Sequence, residues 1–346
     1  MKKFILYGLL MLACMNINAR ENFDSVKVLI QKAQIEREAG RHKMALEYLQ
    51  KAVAADPKMI EAQRILGLEA LELRQYDMAR QAFLIVLESN PNDVVSLEKV
   101  TGIFFSFRRW DDAIKYGQKL QSLNAGQRTN FIIGKSFFEK EDYGKAFMYL
   151  DKAYVEEPKN IEIPTMFARG LVDMSNFKAA VRYYQDAVAL DSNNARLYNE
   201  LAMACSSMND EKLAVKYYEI AIAKGIKVDN DFVENLSNSY LAAGMTEKGM
   251  DMLKKLLEKR PGDIDLLNNI ADNYYRLGNY QEAMAQWDKV LYLDKENARA
   301  LYMIGMCYIK LGDKNKGATL CNKAIDMDPS LKQFRSTKGF PLGGGS

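Results

Sequence analysis

Residues 276–283 read "RLGNYQEA", and 34 residues later, at 310–317, the chain writes "KLGDKNKG". Each stretch is a turn between two helical patterns, and the interval can be followed outward in both directions. A small residue lies midway along the first helical pattern of every unit: Ala33, Gly67, Thr101, Gly134, Ala168, Ala202, Ser237, Ala271 and Gly305. Successive members stand 33 to 35 residues apart. A second column, near the start of each following helix, reads Ala45, Ala79, Ala113, Ala146, Ala180, Ala214, Gly249, Ala283 and Gly317. It repeats the same steps, including one deletion and one insertion. Two columns that drift together define nine units between Val26 and Leu331.

A third column, four residues after the second, holds Leu49, Phe83, Leu150, Tyr184, Tyr218, Leu253 and Trp287, with Gly117 and Cys321 departing from it. A fourth, seven residues after the second, holds Ala52, Val86, Leu120, Ala153, Ala187, Ala221, Leu256, Val290 and Ala324. Offsets of four and seven place all three columns on one helix face. Pro57, Pro91, Pro158, Pro261 and Pro329 close units, where a helix must stop. Small residues let two antiparallel helices approach, and the larger column fills the space beside them. Neither helix buries its face alone, so neighbouring units must stack.

Two stretches break the pattern. Residues 94–126 carry Gly117 in place of a packing side chain and "SLNAGQ" in place of a closing breaker. The junction "AKGIKVDN", 223–230, lacks a proline and holds the inserted residue. The sequence therefore predicts looser packing and soft joints near 117–128 and 223–230.

The chain has 346 residues, 48% apolar and 27% charged, which is ample material for a core. The formal charge is +3, and no like-charge run exceeds three or four residues. Neither a nucleic-acid stripe nor an acidic or basic tail is present, so no nucleic-acid partner is expected. Lys2 and Lys3 precede the apolar "FILYGLLMLAC" and the polar "MNINAREN". This reads as an export signal, too short to span a bilayer as a stable helix. Two processing readings stand: cleavage after Ala19, with 1–19 as signal peptide, or a lipobox "MLAC" that removes 1–13 and acylates Cys14. Either predicts a periplasmic or outer-membrane-associated protein, whose membrane contact is limited to a lipid anchor or a partner. Residues 332–346 form a tail, and "GGGS" at 343–346 reads as an appended linker. Cys205, Cys307 and Cys321 make no disulfide framework; buried thiols and a Cys307–Cys321 bridge are the two readings.

The segments "LGLEALELRQYDMARQAFLIVLESNP" (66–91) and "IADNYYRLGNYQEAMAQWDKVLYLD" (270–294) resemble the tetratricopeptide repeat family. The resemblance implies an all-α, right-handed superhelical solenoid of about nine helix-turn-helix repeats over 26–331. It also implies partner binding on a concave surface lined by first helices. Carried over by register, that surface receives Phe105, Arg128, Phe131, Lys135, Phe138 and Arg169, and further along Tyr275, Arg276, Arg299, Tyr302 and Met306. Aromatics beside arginine suit an extended segment or helix of a partner; packing between units is the other use for the same rings. Family members that hold acidic chaperone tails use a Lys followed four residues later by Asn in the first unit. Here Ile30 and Gln34 occupy those sites, and Asn238 is preceded by Glu234, so that clamp is not expected.

The candidate catalytic residues point elsewhere. His42 is the only histidine, which leaves no two-histidine metal motif, and it falls in a hairpin turn as a packing or capping residue. "GKS" at 134–136 has Thr129 where a phosphate loop needs glycine, and Gly134 belongs to the small column. The paired acids Asp111–Asp112, Glu156–Glu157 and Asp210–Glu211 lie at turns and unit ends, where helix caps are expected. No enzyme activity, cofactor or metal is expected. The functional expectation is a protein-binding scaffold in a bacterial envelope complex. The alternatives are a periplasmic carrier for extended polypeptides and a glycan-binding accessory protein using Asn268, Asp272 and Tyr275.

Overall fold

A computed structural model of the chain describes residues 25–126 and 128–335, and the described residues contain helices and turns only. The first nine helices are α1 (25–38), α2 (His42–Ala55), α3 (Ile60–Glu72), α4 (Tyr76–Ser89), α5 (Val94–Ser106), α6 (Trp110–Ser122), α7 (Thr129–Glu139), α8 (Tyr143–Glu156) and α9 (Glu162–Asp173). The next five are α10 (Phe177–Leu190), α11 (Ala195–Ser207), α12 (Glu211–Ala223), α13 (Asn230–Ala242) and α14 (Thr246–Lys259). The last four are α15 (Ile264–Arg276), α16 (Tyr280–Leu293), α17 (Ala298–Lys310) and α18 (Lys314–Met327), followed by a 3-10 turn over Pro329–Arg335. The chain divides into two compact units between Gly170 and Leu171, inside α9. Neither expected joint coincides with that division.

The helices pair as hairpins because small residues on the first helix receive large ones on the second. Leu49, Phe83, Leu150, Tyr218, Leu253 and Trp287 each follow a small-column residue by 16 positions. They supply six of the twelve largest fully buried side chains among the described residues. A Cβ added at Gly67 would lie 2.8 Å from the Phe83 ring, so the ring occupies the space a side chain would need. Burying each such group contributes about 1.5–3 kcal/mol relative to leaving it exposed.

The turn that opened the sequence reading is a left-handed helix stop. Gly278 has φ 80°, its N–H donates to the carbonyl of Tyr275 at 3.1 Å, and that of Asn279 donates to Tyr274 at 2.9 Å. These two hydrogen bonds satisfy carbonyls that the helix end would leave bare. The same geometry recurs at Arg74, Arg108, Glu141, Ser175 and Asn209, where a side chain accepts the positive φ at some cost. Asp and Asn then start many of the next helices: Asp93, Asp142, Asn176, Asp210, Asp263 and Asp313 each accept a backbone N–H three residues on.

At 117, where the sequence leads to an expectation of looser packing, the glycine is closely surrounded. α6 runs through Gly117 unbroken, and a Cβ there would stand 2.9 Å from Cγ1 of Ile133 and 3.7 Å from Cγ2 of Thr101. The size order is exchanged in this hairpin, with Thr101 on the first helix and glycine on the second, and Ile133 of α7 fills the remainder. On either side of residue 127, Asn124, Gly126 and Arg128 have positive φ, and Gln121 donates to Asn130 at 2.9 Å. At 223–230, Gly225 turns the chain with φ 84° and Asp229 caps α13 through the Phe232 N–H at 3.0 Å.

At the end of the array, Leu331 is buried and Phe334 packs against the cluster that contains Trp287, Tyr302 and Ile325, so the 3-10 turn over Pro329–Arg335 packs on the last hairpin. Cys205, Cys307 and Cys321 are buried thiols, which leaves the Cys307–Cys321 bridge unformed. Burial pushes the Cys205 and Cys307 thiols up to about 12. Among the described residues no helix is long and apolar enough to cross a membrane. The signal segment 1–19, Cys14 and the linker at 343–346 lie outside the described residues.

Candidate functional site

The groups singled out for chemistry have structural tasks. His42 opens α2 with Nδ1 2.6 Å from Oε1 of Glu69, and Nε of Arg37 lies 2.7 Å from Oε2. Glu69 is wholly buried, and a buried carboxylate needs such partners because desolvation costs several kcal/mol. Gly134 lies inside α7 with Leu150 where a Cβ would go, and Ser136 donates to the Ile132 carbonyl at 2.7 Å, so "GKS" is helix interior. Asp210 caps α12, and Asp111 and Asp112 occupy the first turn of α6. Among the described residues no three His, Cys, Asp or Glu side chains converge to hold a metal ion.

The aromatic and basic patch of the first unit closes on itself. Phe131 is 3% exposed, which corrects its assignment to a contact surface. Its ring lies 6.5 Å from Phe105, whose ring stands 5.8 Å from Trp110. The Arg128 guanidinium sits 4.8 Å above the Phe131 ring, and Lys135 Nζ stands 5.7 Å from it. Both cations are answered by carboxylates: Arg128 Nε meets Glu157, at the end of its own hairpin, at 2.9 Å, and Lys135 Nζ meets Glu162, at the start of α9, at 2.5 Å. Phe138 leans on Tyr143 at 5.5 Å, and Arg169, though exposed, has interactions of its own. The same device appears where Arg64 meets Asp93 at 2.5 Å and Lys140 meets Asp111. The partners stand 27 to 29 residues apart, a little less than one repeat, and the carboxylates lie at or near helix ends.

In the second unit, Tyr302 is 2% exposed and therefore also core, a second correction. Met306 packs partly buried in the same cluster. Tyr275 is held between Tyr280 at 5.3 Å and Trp287 at 6.1 Å, and burial first of all pushes its phenol up to about 12. The ring is partly buried in that cluster. Arg299 is bound to Asp272 at 2.7 Å, and Arg276 stands exposed at the end of α15.

What the second unit does offer is a cleft of about 1240 Å³ walled chiefly by α13 and α15. Asn269 Nδ2 donates to Asn238 Oδ1 at 3.1 Å and to Glu234 Oε1 at 3.3 Å. Asn273 Nδ2 donates to the Asn269 carbonyl at 2.9 Å, extending an amide ladder along the wall. Glu211, Asp231, Glu234, Asp263, Asp265 and Asp272 face three guanidinium groups, Arg260, Arg276 and Arg299. Sequence reading named Glu211, Glu234, Asn238, Asp272, Arg276 and Arg299 for separate reasons but did not bring them together, and it passed over Asp231, Arg260, Asp263, Asp265, Asn269 and Asn273; Glu234–Asn238 stands in the register of the chaperone-tail clamp with its charge reversed.

Comparison with known proteins agrees with this architecture. One family profile, described as Tetratricopeptide repeat, matches residues 30–94, 165–207 and 268–331, and a second of the same description matches 195–223. Similar solved structures include the C-terminal part of a TPR repeat-containing protein from Cytophaga hutchinsonii. It is 18% identical, with 80% of this chain and 99% of that chain covered and a TM-score of 0.47. YrrB, titled a TPR protein with an unusual peptide-binding site, is 22% identical, with 53% of this chain and 95% of that chain covered and a TM-score of 0.42. PilW, titled a type IV pilus biogenesis factor, is 16% identical, with 62% and 97% covered and a TM-score of 0.41. No curated protein matches the chain. The two profiles together span more than half of the sequence, and the chain belongs to the tetratricopeptide repeat family, a family of protein–protein interaction scaffolds.

Proposed function

We propose that this chain is an exported scaffold of the bacterial cell envelope and that it holds a protein partner in the cleft of the second unit. The observation that carries the site is the amide ladder Asn238–Asn269–Asn273 inside a cleft larger than the usual small-molecule pocket. Side-chain amides both donate and accept, which suits the alternating groups of an extended backbone. Export is supported by the Lys2–Lys3 pair and the apolar run that follows. Crosslinking in native cells, with the mature N-terminus read from the same sample, tests both parts. A defined envelope partner in stoichiometric amount supports the scaffold, and an N-terminus retaining Lys2 defeats the export reading. A ladder that reads backbone instead of side chains also favours a second reading, a carrier for extended polypeptides. That reading predicts a diffuse set of clients and suppression of their aggregation.

A further inference from the structure

We propose that the occupant of the second-unit cleft is cationic: an extended segment of the partner protein that carries lysine or arginine. This rests on the partner-binding reading of the same cleft and adds the partner's charge. The cleft's own cations are engaged, Arg299 with Asp272, Arg260 with Asp263 and Arg276 in contacts of its own. Glu211, Asp231, Glu234 and Asp265 are left outside any ion pair among the described residues. Glu234 and Glu211 have only neutral donors, from Asn269 at 3.3 Å and Ser206 at 3.0 Å.

A second observation points the same way. Oε2 of Glu211 and Oδ1 of Asn268 are buried in the cleft wall with no hydrogen-bond donor among the described residues. A buried acceptor without a donor costs about 1–3 kcal/mol, which an occupant rich in N–H groups relieves. The carboxylates are spread along the cleft and do not converge as metal ligands, so they match charges distributed along a chain better than one ion. Ammonium and guanidinium groups carry donors only, which is the complement of such a wall.

The test is fluorescence anisotropy of the full chain with two labelled peptides, one alternating lysine with serine and one alternating glutamate with serine. The lysine peptide is expected to bind and the glutamate peptide to fail. Changing Glu234→Gln together with Asp265→Asn, which keeps side-chain shape, is expected to weaken lysine-peptide binding by at least about tenfold, and added salt to weaken it further. Unchanged helix content by circular dichroism confirms that the variant is folded. Equal binding of both peptides, or an unaffected double variant, overturns the proposal. A photocrosslinker at Asn238 in native cells separates the two claims. Crosslinks to an acidic segment overturn the cationic occupant and leave partner binding standing, whereas no crosslinked polypeptide defeats both.

Discussion

The first-helix faces of the two units are built from the same register and come out opposite. In the first unit, Arg64 and Lys135 reach a carboxylate at the start of the next hairpin and Arg128 one at the end of its own, and the rings beneath Arg128 and Lys135 pack against one another. In the second, register positions equivalent to Arg64 and Phe131 hold Glu234 and Asn268, and an acid and amide wall borders open space. A surface whose charges already answer each other has little left for a partner. A surface with unmatched acceptors gains on binding, because the partner supplies what the fold does not. Aromatic and basic composition alone does not distinguish a face whose charges are matched internally from one whose acceptors are left open.

The largest break in this contrast should come from Phe131→Ala. If the ring is support and not surface, truncation costs about 3–5 kcal/mol in thermal or denaturant unfolding and leaves lysine-peptide affinity in the second unit unchanged. A smaller effect is expected from Gly117→Ala, where the new methyl meets Ile133 and overpacking costs about 1–3 kcal/mol. An unaffected stability there would mean that the hairpin is as loose as its sequence suggests.

Asp93 provides a pH test of the paired face. Burial works against its charge, but the Ser96 N–H and the Arg64 guanidinium outweigh it and hold the carboxyl below the usual carboxylate range. A lowered folded-state value means stability present above the ordinary carboxylate range and lost as pH falls through the folded value. Asp93→Asn, which still caps α5, should cost up to about 1 kcal/mol at neutral pH, and the gap from the wild type should close on acidification. The least effect is expected from Arg128→Ala with Lys135→Ala: both pairs are partly solvated, so each contributes less than about 1 kcal/mol.

The repeat, its hairpins and their packing columns were legible because each rests on residue size at a fixed spacing. Depth was not. Phe131, Tyr302, Arg64 and Glu234 share one register position, and the apolar members turn into the core while the polar ones stay toward solvent. Register decides the face, and side-chain chemistry then decides how far in the residue sits. Ion pairs between units were hidden because they depend on which first helix lies beside which. The turns were only partly legible, since Gly278 advertises a positive φ but Arg74 and Glu141 adopt the same conformation without a glycine to mark it.

The central claim is that partners are taken by the second unit's cleft and not by the first unit's patch. The direct measurement is quantitative partner capture from native cells by three chains: wild type, Glu234→Gln with Asp265→Asn, and Arg128→Ala with Lys135→Ala. The account predicts that only the cleft variant loses the partner, by about tenfold or more. Loss in the Arg128 and Lys135 variant with capture intact in the cleft variant would contradict it.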